Sequence, residues 1–188
     1  NICLKDEEVT PLILATILKK NEFIKEFFKI EKSKKFVKNK GIPSINVLSK
    51  YNNTALNFAI LTFSEENKND FDTINLLLNE GIDISIKNKG ETNSLHLSID
   101  QGHPDIFLAL LKKASESKDF DKIVNSKCAK NESILFCAVD SYKFDKLSGI
   151  KIIDLIFKNI ENINSLLEAN SDGNTIITDT AERGTLEL

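Results

Sequence analysis

The chain has 188 residues, a formal net charge of −3 and 41% hydrophobic residues, enough apolar material for a sizeable core and too little positive charge for a general polyanion binder. No apolar run approaches the ~18 residues needed to cross a bilayer, and no signal-peptide pattern opens the chain. Three cysteines without paired spacing fit a reducing compartment rather than a disulfide framework.

Taken in chain order, the first element opens at Thr10-Pro11-Leu12-Ile13-Leu14-Ala15, where a hydroxyl residue and a Pro precede an apolar run, as at a helix start. Phe23, Ile24, Phe27 and Phe28 then make an i, i+1, i+4, i+5 stripe, the apolar face of a second helix with Lys25 and Glu26 turned outward. Lys29, Lys32, Lys34, Lys35, Lys38 and Lys40 follow against a single Glu31. Without Arg, this run reads as a solvated loop before a nucleic-acid patch. Thr54-Ala55-Leu56-Asn57-Phe58-Ala59 opens the next helix. Ile74, Leu76, Leu77 and Leu78 carry its successor to Gly81, a residue that takes positive φ without penalty. The alternating stretch Ile82-Asp83-Ile84-Ser85-Ile86 follows that Gly and fits a hairpin finger better than a sheet.

Further on, Asn93-Ser94-Leu95-His96-Leu97-Ser98 leads through Gly102 to a stripe of Ile106, Phe107, Leu110 and Leu111. Ser133-Ile134-Leu135-Phe136-Cys137-Ala138 leads to Ile152, Ile153, Ile156 and Phe157. Thr175-Ile176-Ile177-Thr178-Asp179-Thr180 comes last. These five openings start 44, 39, 40 and 42 residues apart. Each begins with a hydroxyl or amide residue suited to capping, and each has a small residue five places on (Ala15, Ala59, Ser98, Ala138, Thr180), where two helices can approach closely. A recurrence at this period means stacked helical units, because one unit of about 40 residues cannot bury its own apolar stripe.

The blocks resemble the ankyrin repeat, whose T-P-L-H-x-A pattern returns at about 33 residues. The resemblance is carried by Leu95-His96-Leu97-Ser98 with Gly102-His103-Pro104-Asp105-Ile106, by Asp72 to Ile84, and by Asp172-Gly173-Asn174-Thr175 with Ala181-Glu182-Arg183-Gly184. It implies an all-α solenoid of helix-turn-helix units with hairpin-like finger loops, covering residues 1–188 as repeats near 10–44, 54–86, 93–125, 133–165 and a partial one at 175–188. The longer period requires insertions. They are expected between the helices at 63–71 and 141–150, and after the second helix at 29–44 and 113–123.

Enzymatic constellations do not rise above background. The seven glycines form no phosphate-binding loop, and Glu65-Glu66, Asp119 and Asp121 fall in polar insertions where a solvated loop is expected. Cys128 and Cys137 lack CxxC spacing, so no metal and no cofactor is expected, and a Cys-His nucleophile has little support. The resemblance makes His96 a structural hydrogen-bonding residue. It also implies recognition of another protein through a concave surface formed by Asn52, Asn53, Glu91, Thr92, Asn131 and Glu132 in the fingers and by Phe63, Gln101, His103 and Tyr142 on the first-helix ridge. Phe63, Tyr142 and Phe144 are either aromatic anchors or caps on their own repeats.

The expected role is thus a protein-binding scaffold, monomeric and cytoplasmic, with no membrane span and no nucleic acid. An alternative is the recruiting arm of a larger effector enzyme, acting in a host cytoplasm. The 24 Ile and 20 Asn against one Arg suggest an AT-rich genome, such as that of an intracellular bacterium or parasite. A sequence without Met that stops at Thr185-Leu186-Glu187-Leu188, where a second helix is expected, reads as a segment of a longer protein.

Overall fold

The computed structural model describes residues 9–32, 44–141, 146–161 and 164–182. It is all-α: the described residues form ten α-helices and no strand. Two compact units divide the chain, Asn1–Lys89 and Gly90–Leu188. Among the described residues no helix is long and apolar enough to cross a membrane.

The recurring first residue explains where helices begin. In all five blocks its side-chain oxygen accepts the backbone N–H three residues on, which would otherwise lack a partner in the first helical turn. Thr10 Oγ1 takes Ile13 N–H at 3.3 Å, Thr54 Oγ1 takes Asn57 at 3.2 Å and Asn93 Oδ1 takes His96 at 3.2 Å. Ser133 Oγ takes Phe136 at 3.4 Å and Thr175 Oγ1 takes Thr178 at 3.3 Å. The period in the sequence is therefore a period of N-caps. Ser133 has a second task, since its hydroxyl also donates to Leu166 O at 2.7 Å in a buried setting. Ser133→Ala should accordingly cost about 2 kcal/mol in urea denaturation, against about 1 kcal/mol for Thr54→Ala, which loses the cap alone.

In the first unit, α1 (Pro11–Ile17) and α2 (Asn21–Lys32) form one hairpin, and α3 (Ala55–Leu61) and α4 (Lys68–Asn79) form the next. Helix α1 packs on α3 and α2 on α4, so like helices stack. The core between them holds Ile13, Ile24, Leu56, Phe58, Ile60, Ile74 and Leu77, all shielded from water. A polar joint also ties the hairpins. Lys19, at φ 54°, sends its ammonium to Thr62 Oγ1 at 2.9 Å and Asp70 Oδ2 at 3.3 Å, and Asp70 Oδ2 accepts Ser64 N–H at 3.0 Å. Thr73 Oγ1 donates to Asn21 Oδ1 at 2.7 Å. Burial pulls the Lys19 pKa below the ordinary lysine value, with Asp70 acting in the opposite direction.

The second unit repeats the scheme. Its helices are α5 (Ser94–Asp100), α6 (Pro104–Ser115), α7 (Phe120–Val124), α8 (Ile134–Ser141), α9 (Lys146–Asn159) and α10 (Ile176–Glu182). Helix α5 packs on α8 and α6 on α9, and α10 follows on α8. The small residues expected at the close approaches are buried at Ala15, Ala59, Ser98 and Ala138, while Thr180 is half-buried.

The apolar stripes divide more unevenly than their spacing suggests. Ile106, Phe107, Leu110 and Leu111 are all buried, but Phe23 is 51% and Phe157 54% exposed, because the inward face of α2 and α9 is narrower than four residues per two turns. The insertions also hold more structure than a polar composition announces. Helix α4 already begins at Lys68, inside the 63–71 stretch, and α7 forms within and just beyond 113–123. Glu65, Glu66 and Asp119 are solvent-exposed in turns, as expected, whereas Asp121, also exposed, lies on α7 rather than in a loop. The Ile82–Ile86 stretch forms no strand. Ile82 and Ile84 are buried, and Asp83 N–H bonds Asn46 Oδ1 at 2.9 Å beside the short 3₁₀ turn Ser44–Asn46.

Candidate functional site

Four five-residue turns precede first helices, at 49–53, 88–92, 128–132 and 170–174, and each places its fourth residue in the left-handed region. These residues are Asn52 (φ 60°), Glu91 (58°), Asn131 (57°) and Gly173 (81°). Only the last is a glycine, so in three turns the chain accepts a conformation that costs an L-residue about 1 kcal/mol. Repeated bonds hold that conformation. Ser49 N–H donates to Asn53 O at 3.0 Å, Cys128 N–H to Glu132 O at 2.9 Å and Asn170 N–H to Asn174 O at 2.9 Å.

In three of the turns a side-chain acceptor on the first residue completes the turn from inside. Ser49 Oγ accepts Tyr51 and Asn53 N–H at 3.3 and 3.2 Å, and Asn170 Oδ1 accepts Asp172 and Asn174 N–H at 3.0 Å each. At 128 that acceptor is sulfur, with the N–H groups of Lys130 and Glu132 directed at it. Successive turns bond to one another as well: Lys89 N–H reaches Tyr51 O at 3.0 Å, and Ser171 N–H reaches Lys130 O at 2.9 Å.

On this frame the residues expected to face a partner fall into three groups. Glu91, Gln101 and Asn131 are exposed; Asn52, Phe63, Thr92 and His103 are half-buried. Asn53 and Glu132 are buried, since they close the turns that the sequence assigned wholly to a partner surface. Phe63 lies edge-on to Phe71 with ring centroids 6.4 Å apart, turned back onto its own hairpin. Tyr142 and Phe144 lie outside the described residues, as do Lys34, Lys35, Lys38 and Lys40 of the basic run, while Lys29 ion-pairs with Glu26 on α2. His96 is fully buried, with Nδ1 2.7 Å from the capping Asn93 Oδ1.

Two features were missed in the residue pattern. The first is Tyr51, 41% exposed at a turn tip, with the ammonium groups of Lys50 and Lys89 each 5.7 Å from its ring centroid. The second is a cluster at the third turn. Cys128 and Glu132 share the turn, and Cys137 joins them from α8 with a side chain only 8% exposed. The donor atoms of all three lie within 4.8 Å of one another. A hydrogen bond from the Cys137 thiol, helped by the Lys130 and Glu132 amides, draws the Cys128 thiol down to about 5. The same bond and burial push Cys137 well above the ordinary thiol range. Burial and the Cys128 charge raise the Glu132 carboxyl. Asp100, at the end of α5, is brought up to about 6 by the protein around its carboxyl, then by Cys128 and Asp140.

The first unit adds a groove of ≈ 1030 Å³ along α1, α2 and α4, walled by Leu14, Leu18, Phe23 and Leu76 with Asn75 and Asn79 at its edge. No family model matches the chain, and no curated protein matches it.

Proposed function

We propose that the chain is an ankyrin-like repeat module that binds another protein through its turns and the adjoining ends of its first helices. The observation that carries this reading is the conserved geometry of the four turns beneath changing side chains. One backbone conformation places Asn52, Glu91, Asn131 and Gly173 in the left-handed region, and the same internal bonds fix it in the turns at 49–53, 128–132 and 170–174. Turns with a set backbone and variable outward residues suit recognition, because little loop entropy is lost on binding. Tyr51 supplies an aromatic of the kind that anchors interfaces, and the flanking ammonium groups restrict its ring. The binding is non-covalent and needs no cofactor. Among the contacts inferred from sequence, Glu91, Gln101 and Asn131 remain the outward-facing candidates, and Tyr51 replaces Phe63 as the aromatic anchor.

The test is affinity capture from cell lysate with the parent chain and with a Tyr51→Ala/Glu91→Lys variant, after circular dichroism has shown equal helicity. A protein bound by the parent should be held at least tenfold more weakly by the variant, the usual consequence of losing an anchor residue. Equal retention by both would remove the turns from the binding surface.

A further inference from the structure

The equivalence of the turns provides an internal control for the cluster at the third one. The position of Cys128 is filled by Ser49, Asn88 and Asn170 in the other turns, and that of Glu132 by Asn53, Thr92 and Asn174. At the fourth residue of each following helix, Cys137 corresponds to Phe58, Leu97 and Asp179. Ser49 and Asn170 show that a neutral polar acceptor suffices at the start of the turn, and nothing in its construction requires sulfur there or a carboxylate at its end. Two thiols and a carboxylate occur together in the third turn alone of these four.

We propose that Cys128, Glu132 and Cys137 form a binding site for a thiophilic divalent cation, Zn²⁺ first among them. Separation of the donors fits such an ion. Cys128 Sγ lies 3.7 Å from Glu132 Oε2, and the corresponding edge of a Zn²⁺ tetrahedron is about 3.6 Å for bonds of roughly 2.3 Å to sulfur and 2.1 Å to oxygen. The turn is held before any ion arrives, by Cys128 N–H to Glu132 O and Asn131 N–H to Cys128 O, both 2.9 Å. Backbone N–H groups directed at Cys128 Sγ favour the thiolate, the form that ligates a metal.

Charge points the same way. Glu132 is 7% exposed beside two sulfurs, with the Asp140 charge and the Lys130 cation acting on it, while Asp100 feels the Cys128 charge. A divalent ion would neutralise this surplus, whereas a disulfide between the two sulfurs would leave the buried carboxylate uncompensated. Soft sulfur selects Zn²⁺ over Mg²⁺ or Ca²⁺, which take oxygen sets. Three protein donors leave a fourth position for water. Cys128 is half-exposed and provides the route from solvent.

The experiment is an anaerobic titration of the reduced 188-residue chain with Co²⁺, followed by Zn²⁺ competition. The expected result is a thiolate-to-cobalt charge-transfer band that saturates at one equivalent, disappears on adding Zn²⁺ and survives Cys3→Ser. Cys128→Asn and Cys137→Leu install the residues that the sister blocks use at these places and so preserve the fold; each should abolish the band. Glu132→Gln should weaken Co²⁺ binding at least tenfold. Absence of the band in the parent, or its survival in both cysteine variants, would overturn the proposal. So would conversion of the two thiols to a disulfide without metal uptake, which would make the pair a redox device.

Discussion

Replacing Asp70 by Ala should lower the stability of the protein by about 3 kcal/mol in urea denaturation followed by far-ultraviolet circular dichroism. The residue is 2% exposed, and one carboxylate oxygen serves both the Lys19 ammonium and the Ser64 N–H. Removing it strands a cation and a backbone donor in a largely desolvated joint, and an unpaired buried group costs more than the intact bond contributes. The value sits at the low end for a buried pair because 14% of the Lys19 side chain still reaches water. Asp72→Ala, at an exposed position two residues further along α4, should stay within about 0.5 kcal/mol of the parent. The double variant Lys19→Met/Asp70→Leu should recover much of the loss, since two apolar chains leave no uncompensated charge. Equal stability of the Asp70 and Asp72 variants would mean that the joint does not form.

Phe107→Ala should cost about 4 kcal/mol, whereas Phe157→Ala should cost less than about 1 kcal/mol. In the sequence these residues look alike, each in an i, i+1, i+4, i+5 stripe. In the fold Phe107 is fully buried between neighbouring helices, and its truncation leaves a cavity that fixed surroundings cannot close. Phe157 is 54% exposed and loses little on truncation. A domain of this size has only about 5–15 kcal/mol to lose, so the first substitution should leave a detectably unfolded population and the second should not. Chemical denaturation of both variants checks the contrast. Equal losses would mean that the second unit buries both rings.

These contrasts show what a linear sequence can convey. The N-caps at Thr10, Thr54, Asn93, Ser133 and Thr175 were legible because capping is local, decided within three residues. Gly81 and Gly102 marked positive-φ turns for the same reason. Lys19 was not legible as the counterpart of Gly102, nor Glu91 as a left-handed residue, because neither side chain prefers that region; Asn131 is of a type that tolerates it, and Asn131 N–H to Cys128 O holds it there. Asp70 looked like part of a solvated insertion, and only the docking of two hairpins buries it. Tyr51 was overlooked beside Asn52 and Asn53, although an aromatic at a turn was a usable signal. Cys128, Glu132 and Cys137 follow no familiar ligand spacing. Their meeting depends on a turn whose geometry was itself hidden in non-glycine residues.

The most direct measurement of the partner-binding account is site-specific photo-crosslinking in lysate, with a photoreactive residue placed in turn at Glu91, Asn131 and the exposed Lys112 on α6. The account predicts that both turn positions crosslink to the same protein, that Lys112 does not, and that Tyr51→Ala suppresses the adducts. A partner captured equally from Lys112, or from none of the turn positions, would contradict it.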